Sequence, residues 1–199
     1  MQAGSQGIGP VLTYDVSDWL TISAEGNFFS YSVEAEEIDD ITYDGDLDLF
    51  SAGLSVTARP FYENSVAGGF KLVAGVFAVD NTVNLRATAE DNLSAVEVEI
   101  GEFTGLLDGD DAVNAEVGFD SIAPYVGLGW DWFLGQEDQV KLSLDVGVLF
   151  VGDPDVNVSV EGALAVSEDD IQAEEDSIRE ELEDVSIYPV VKLGLVYRF

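Results

Sequence analysis

The sequence contains neither cysteine nor histidine, and these two absences exclude several kinds of site at once. Without cysteine there is no disulfide framework and no thiol nucleophile. Without histidine the Ser-His-Asp and Cys-His catalytic arrangements cannot form, and the usual zinc sites lose a ligand. No Walker loop and no dinucleotide fingerprint occur either. We therefore predict that the protein is not an enzyme, that it has no catalytic residues and no metal site, and that it carries no cofactor.

Basic residues are scarce, since seven lysines and arginines stand against 40 aspartates and glutamates, for a net charge of −33. Nucleic acid is not expected as a partner, because phosphate binding needs a basic face. Two interpretations of the acidity stay open. The acids can lie in connections exposed to salt, or they can coat the whole surface of a halophile's soluble protein.

Long hydrophobic runs are also missing. No run of about 18 apolar residues occurs, so the sequence predicts no transmembrane helix. The first residues, MQAGSQG, lack the basic and apolar regions of a signal peptide. Either the chain is not exported, or its numbering starts at a mature or engineered terminus.

The dominant pattern is alternation of apolar and small or polar residues with a period of two. In the clearest case Leu142 and Leu144 alternate with Ser143 and Asp145. Such alternation predicts about eight antiparallel strands (8–10), and most are longer than the usual ~5–6 residues. Tilted strands of about 9–11 residues are what crossing a bilayer requires. The predicted strands cover 8–16, 19–32, 46–59, 66–80, 120–133, 139–151, 155–164 and 187–199.

We predict one domain, 1–199, with acidic connections at 34–46, 81–119 and 165–186. The second connection is too long for a bare loop and contains the alternating VEVEI, which indicates an extended hairpin above the barrel. Residues 167–185 predict a short acidic helix, because Ser167 is a candidate N-cap and the first turn is acidic.

Three features favour a membrane barrel with its apolar face outward over a soluble barrel with its apolar face inward. Glycines such as Gly127 and Gly147 lie on the non-apolar face, where a crowded interior needs room. Most of the scarce bases share that face with a few acids, and aromatic residues cluster toward strand ends. Inward-facing charges must pair, since buried unpaired charge is costly. The predicted charged lumen network is Glu25, Arg59, Lys71, Asp131, Lys141, Asp145, Lys192 and Arg198.

Three stretches carry a resemblance to a known family. The ending YPVVKLGLVYRF, the stretch APYVGLGWDW and the pair of strands in YDVSDWLTISAEGNFFSY resemble small bacterial outer-membrane β-barrels. The resemblance implies an up-and-down transmembrane barrel in the outer membrane of a Gram-negative bacterium, with lipid as its surroundings. It also implies that Tyr197 and Phe199 form a signal for the barrel-assembly machinery. The high acidity would suit a marine or halophilic source.

The predicted number of strands is inconsistent with the expected side of the carboxyl terminus. It puts the short turns at 17–18, 60–65 and 134–138 on one side, and the long connections with both termini on the other. Family convention places the carboxyl terminus with the short turns. Either the predicted strand 155–164 does not cross, or a further strand lies within 81–119.

Our first functional hypothesis is a narrow, porin-like channel or a structural membrane component. The second is a surface protein whose acidic connections bind cations, partner proteins or further copies of itself, and the third is a soluble acidic barrel that holds an apolar ligand. An EF-hand over 40–51 is rejected, because its last position is Ser51 where glutamate is needed. Weak cation binding by Glu36, Glu37, Asp39 and Asp40 stays an alternative to a solvated loop.

Overall fold

The computed structural model describes residues 1–38, 41–64, 67–89, 96–101, 103–107, 111–134, 139–162, 165–182 and 186–197. These residues form twelve strands and one helix. The strands are β1 Gln2–Gly4, β2 Gly7–Gly9, β3 Val11–Ser17, β4 Leu20–Ile38, β5 Ile41–Ala58, β6 Phe70–Ala89, β7 Val96–Ile100, β8 Phe103–Leu107, β9 Ala112–Leu134, β10 Val140–Phe150, β11 Asp155–Glu161 and β12 Ile187–Tyr197, and the helix is α1 Glu168–Leu182.

The main sheet closes into an eight-stranded antiparallel barrel, as the alternation predicts. β2 and β3 follow one another along β4 and act as a single wall strand. Closure depends on β1, because Ala3 pairs with Leu193 of β12 on one side and with Ile8 of β2 on the other. Around the wall the order is β1, β2–β3, β4, β5, β6, β9, β10 and β12.

The structure resolves the open strand count. The predicted strand 155–164 does not add a wall strand over its described residues, because β11 continues along β9 beyond the end of β10, with Asp155 opposite Gly118. The strand that completes the barrel is the three-residue β1, which is too short to show alternation. The Met1 amino group donates a hydrogen bond to the Leu195 carbonyl at 2.8 Å, so the chain start and the end of β12 lie together. Both lie at the end with the short turns, which we call the short-turn end, and the placement of the termini with the long connections was wrong.

The first two predicted acidic connections, 34–46 and 81–119, are largely strands over their described residues. β4 and β5 stay paired up to Ile38 and Ile41, and β6 and β9 stay paired up to Thr88 and Ala112. Together with β11 these upper halves form a curved sheet beyond the barrel, which we call the extension. Hairpin β7–β8 and helix α1 also lie at this end.

Helix α1 begins where the sequence predicts. The Ser167 hydroxyl accepts a hydrogen bond from the Asp170 amide at 3.2 Å, which is the contact of an N-cap. The helix lies along β11, where the Glu175 carboxylate accepts a hydrogen bond from the Val158 amide at 2.9 Å. It therefore covers a strand edge that would otherwise be unpaired. Among the described residues no helix is both long and apolar enough to cross a membrane.

Within the barrel the apolar residues point outward. Leu12, Leu54 and Ile122 are 75%, 60% and 72% exposed, whereas the alternating polar residues Thr21 and Asn27 are buried inside. This is the inverse of a soluble barrel, where the apolar face would fill the interior. The pattern matches a wall with an apolar medium outside and a packed, mostly polar interior.

β4 and β5 continue without a break from the barrel into the extension, and their outward residues change from apolar to polar on the way. In the barrel, outward positions are apolar up to Phe28 on β4 and Phe50 on β5. The next outward positions are Ser30 and Asp48, which are hydrogen-bonded to each other and exposed. Two paired rows across the outer face of the extension are polar or glycine: Ser30, Asp48, Thr82, Gly118 and Asp155, then Ser32, Asp46, Asn84, Glu116 and Asn157.

Inward glycines make room for large side chains. A Cβ on Gly147 would lie 2.5 Å from the Val126 carbonyl oxygen and 2.6 Å from the Tyr125 hydroxyl, and one on Gly53 would collide with the Phe77 ring. The outward Gly26 has no such neighbour, since the nearest atom to a Cβ there, the Ser51 carbonyl oxygen, would lie 3.9 Å away. The interior is therefore packed to the point where a methyl group matters.

We expect Gly147→Ala to destabilise the barrel by about 1–3 kcal/mol, because the new methyl group must displace Tyr125 and the facing backbone. The measurement is urea unfolding in detergent, with heat-modifiable gel mobility as the check that the barrel has folded. The matched control is the outward Gly26→Ala, which should change stability much less. Equal effects of the two substitutions would contradict the crowding of the interior.

Candidate functional site

The predicted lumen residues lie inside the barrel wherever the structure describes them. Arg59, Lys71, Asp131 and Lys192 are each at most 5% exposed, and Glu25 is 8% exposed. Lys141 and Asp145 are partly buried on the same inner face. Arg198 and Phe199 lie outside the described residues, so their predicted roles stay predictions. Tyr197 ends β12 opposite Val140 with an exposed side chain.

The first cluster of charges surrounds Asp131 near the short-turn end. Arg59 donates to Oδ2 of Asp131 from Nη2 at 2.8 Å and from Nε at 3.2 Å. The Lys71 ammonium lies 2.9 Å from Oδ1 of Asp131 and 3.0 Å from Oδ1 of Asp145, so it bridges the two carboxylates. Lys141 approaches Asp131 at 3.9 Å, and the Ser143 hydroxyl accepts a hydrogen bond from Lys71.

The second cluster pairs Lys192 with Glu25. The Lys192 ammonium donates to both Glu25 oxygens at 2.9 Å, and the Gln2 side-chain amide donates to Oε2 of the same carboxylate. Lys192 also lies over two rings, 5.3 Å from the Phe77 centroid and 4.9 Å from the Tyr125 centroid. A buried ammonium with a carboxylate on one side and aromatic faces on the other is compensated for its loss of water.

The described interior charges balance. Four bases, Arg59, Lys71, Lys141 and Lys192, share the inner face with four acids, the buried or partly buried Glu25, Asp131 and Asp145 and the exposed Asp15. Asp15 accepts a hydrogen bond from the Thr21 hydroxyl at 2.6 Å, toward the short-turn end. The large negative charge of the chain therefore does not extend through the barrel.

An apolar layer lies next to the charged clusters, on the side of the extension. Phe77 and Tyr125 meet edge to face with their centroids 5.7 Å apart, and both are about 1% exposed. They pack in one cluster with residues from four wall strands and the segment after β10: Val73, Val79, Ala123, Leu149, Val151 and Val190. This apolar plug, as we call the cluster, fills the interior where the barrel meets the extension.

Two cavities lie along the described interior of the barrel. Between the two charged clusters a cavity of about 50 Å³ remains, lined by residues that include Glu25, Lys71 and Lys192. A wider cavity of about 720 Å³ opens at the short-turn end and ends at Arg59 and Asp131. At its rim the neighbouring Glu63 carboxylate, together with desolvation, raises the pKa of the Tyr62 hydroxyl above its usual value.

Sequence reasoning missed several interior residues. Asp15 lies on the non-apolar phase of its strand, so its alternation position could have placed it in the lumen set. Gln2 belongs to β1, which carries no periodic signal. Phe77 and Tyr125 interrupt the small-residue pattern of the inner face, and only their packing against glycines on neighbouring strands reveals the apolar plug.

We expect Glu25→Gln to destabilise the barrel by about 3–5 kcal/mol, because it leaves the Lys192 ammonium buried without a counter-charge. Lys192→Met should cost a similar amount for the converse reason. The double variant should be more stable than the sum of the two losses, and urea unfolding in detergent measures all three. Additive losses would show that the two groups are not coupled.

Comparisons with known proteins bear on the fold. No protein-family model matches the chain, and the search of curated proteins finds no match. Two crystal structures of Acinetobacter baumannii proteins are similar, CarO2 at 22% identity and CarO at 20% identity. Each match has a TM-score of 0.68 and covers 100% of this chain and 95% of the other. The chain therefore shares with these proteins the fold of a closed, eight-stranded antiparallel barrel with one short helix.

Proposed function

We propose that the protein is an integral outer-membrane barrel that serves as a structural membrane component with a closed interior. The observation that carries this proposal is the inverted barrel: apolar side chains cover its outside, and side chains fill its inside. An eight-stranded barrel has an interior just wide enough for its own side chains. The structural likeness to the two Acinetobacter proteins supports a location in a Gram-negative outer membrane.

The polarity reversal supports a definite position of the bilayer. From Leu20 to Phe28 the outward face of β4 is apolar apart from small residues, and this length is close to the ~9–11 residues of a tilted membrane-crossing strand. Beyond Phe28 and Phe50 the outward residues turn polar. The outer surface of the bilayer would then lie between Phe28 and Ser30 on β4 and between Phe50 and Asp48 on β5.

The closed interior favours the structural role over the channel. The apolar plug packs buried side chains across the described interior, and the charged clusters below it are internally paired. An open diffusion pore would instead present unpaired charges to a water-filled lumen.

The soluble barrel is disfavoured, since large side chains such as Leu54 and Ile122 would face water over the whole wall. Recognition of Tyr197 and Phe199 by the barrel-assembly machinery, and a marine or halophilic source, remain part of the proposal.

Variants with a single cysteine test the membrane position without background labelling, because the chain has no cysteine of its own. In phosphatidylcholine vesicles a membrane-impermeant maleimide should label Asp48→Cys several-fold faster than Leu54→Cys, since only the first lies in water. Both should react similarly after denaturation. If Leu54→Cys reacts as fast as Asp48→Cys in vesicles, the bilayer does not surround this wall.

Planar-bilayer recordings test the closed interior. The protein should show no single-channel steps, whereas a double variant, Phe77→Ala with Tyr125→Ala, should conduct, because it removes the two rings of the apolar plug. The control is Phe28→Ala, which truncates an outward ring and should stay silent. Regular steps from the unmodified protein would favour the channel over the structural role.

A further inference from the structure

The inner face of the extension is apolar. Two paired rows cross it and alternate with the polar outward rows: Tyr31, Leu47, Val83, Val117 and Val156, then Val33, Gly45, Leu85, Ala115 and Val158. The Leu85 side chain leans over Gly45, since a Cβ there would meet Leu85 Cδ2 at 3.5 Å. The extension thus inverts the barrel: its outside is polar and its inside is apolar. We call this inner surface the apolar cup.

Part of the apolar cup is open. Tyr31 and Leu85 are 57% and 51% exposed, and Phe29 next to them is 43% exposed. By contrast, Val156 and Val158 on β11 are buried. Exposed apolar surface costs about 25 cal/mol per Å², and a contiguous patch with a polar rim usually marks a binding surface. The open part lies on β4 and β6, away from helix α1.

The wall beside this open part is incomplete. Beyond the pair Ile8 and Phe28, no described strand pairs with the free edge of β4. The turn between β1 and β2 ends at the same height, where the Ser5 amide donates to the Val191 carbonyl at 3.0 Å. Above this turn no described strand joins β4 to β12, and we call this unpaired stretch the gap. The gap begins at Phe28, which is also where the proposed bilayer surface lies.

Phe28 and Phe29 join the two apolar surfaces at this gap. Phe28 points outward and is 61% exposed toward the proposed lipid, whereas Phe29 points inward and stacks with Tyr31, their centroids 6.4 Å apart. The lipid-facing surface thus continues around the free edge of β4 into the apolar cup. Below, the apolar plug closes the floor, so an occupant that enters from the side cannot pass through the barrel.

We propose that the apolar cup holds an acyl chain of a bilayer lipid, which enters through the gap between β4 and β12. This inference rests on the proposed membrane position. A flexible hydrocarbon chain suits a surface made of valine, leucine and aromatic side chains, and it needs no polar partner there. The headgroup stays outside at the bilayer surface, beside Ser30. The gap leads from the lipid to the cup, and the acidic outward rows of the extension have no comparable apolar approach.

Photo-crosslinking tests the site directly in vesicles of dioleoyl phosphatidylcholine. The residue p-benzoylphenylalanine replaces Tyr31 in one variant, and it replaces the exposed, outward Ser32 in the matched control on the same strand. A third variant carries it at Leu54 on the proposed lipid-facing wall. Mass spectrometry then measures the protein fraction that has gained the mass of the lipid.

We expect the fraction at Tyr31 to be several-fold higher than at Ser32 and similar to that at Leu54. Leu85→Asp should lower the crosslinking at Tyr31 several-fold, whereas the neighbouring outward Asn84→Asp should leave it unchanged. Equal, low crosslinking at Tyr31 and Ser32 with strong crosslinking at Leu54 would overturn this inference and leave the proposed function intact. Absent crosslinking at Leu54 would overturn the proposed membrane position, and the lipid site with it.

Discussion

Closure of the sheet into a ring of eight strands is the constraint on which the rest of the structure depends. The ring leaves an interior about as wide as the side chains that line it, so every inward residue must fit among those of the facing strands. Tyr125 is accommodated because Gly127 and Gly147 leave space beside it. The same lack of space requires inward charges to find partners, since little water remains to solvate them. The pairing of Glu25 with Lys192 follows from this requirement.

The interior consists of successive layers, two charged clusters and the apolar plug, which make different kinds of contact. Near the short-turn end, Asp131 gathers Arg59 and Lys71 into a cluster that links strands far apart in sequence. Further along, Lys192 contacts both a carboxylate and the rings of Phe77 and Tyr125, and it thereby joins the charged clusters to the apolar plug. These contacts hold the wall strands to one another across the lumen. They also explain how a chain with a net charge of −33 can keep its described barrel interior balanced.

The same strands serve two environments. β4 and β5 run without a break from the barrel into the extension, and the face that carries their apolar residues changes on the way. Phe50 points outward and Leu47 inward, although only three positions separate them. A strand can do this because successive side chains point to opposite faces, so a change of phase in the sequence changes which side is apolar. The extension therefore presents acids outside and an apolar surface inside.

The sequence by itself determined the strand type, the outward orientation of the apolar face, the capped acidic helix and most of the charged lumen set. Alternation with period two assigns each residue to one of two faces. The glycines and the few charges on the non-apolar face, with the aromatic residues at strand ends, then favoured the apolar face as the outward one. Only the tertiary structure decided the rest. β1 is too short to show a period, yet it closes the ring through pairing with both β2 and β12. The partners of Asp131, the apolar plug and the gap beside β4 depend on which strands become neighbours and how far each one extends. Such relations between distant segments leave no mark in the local pattern.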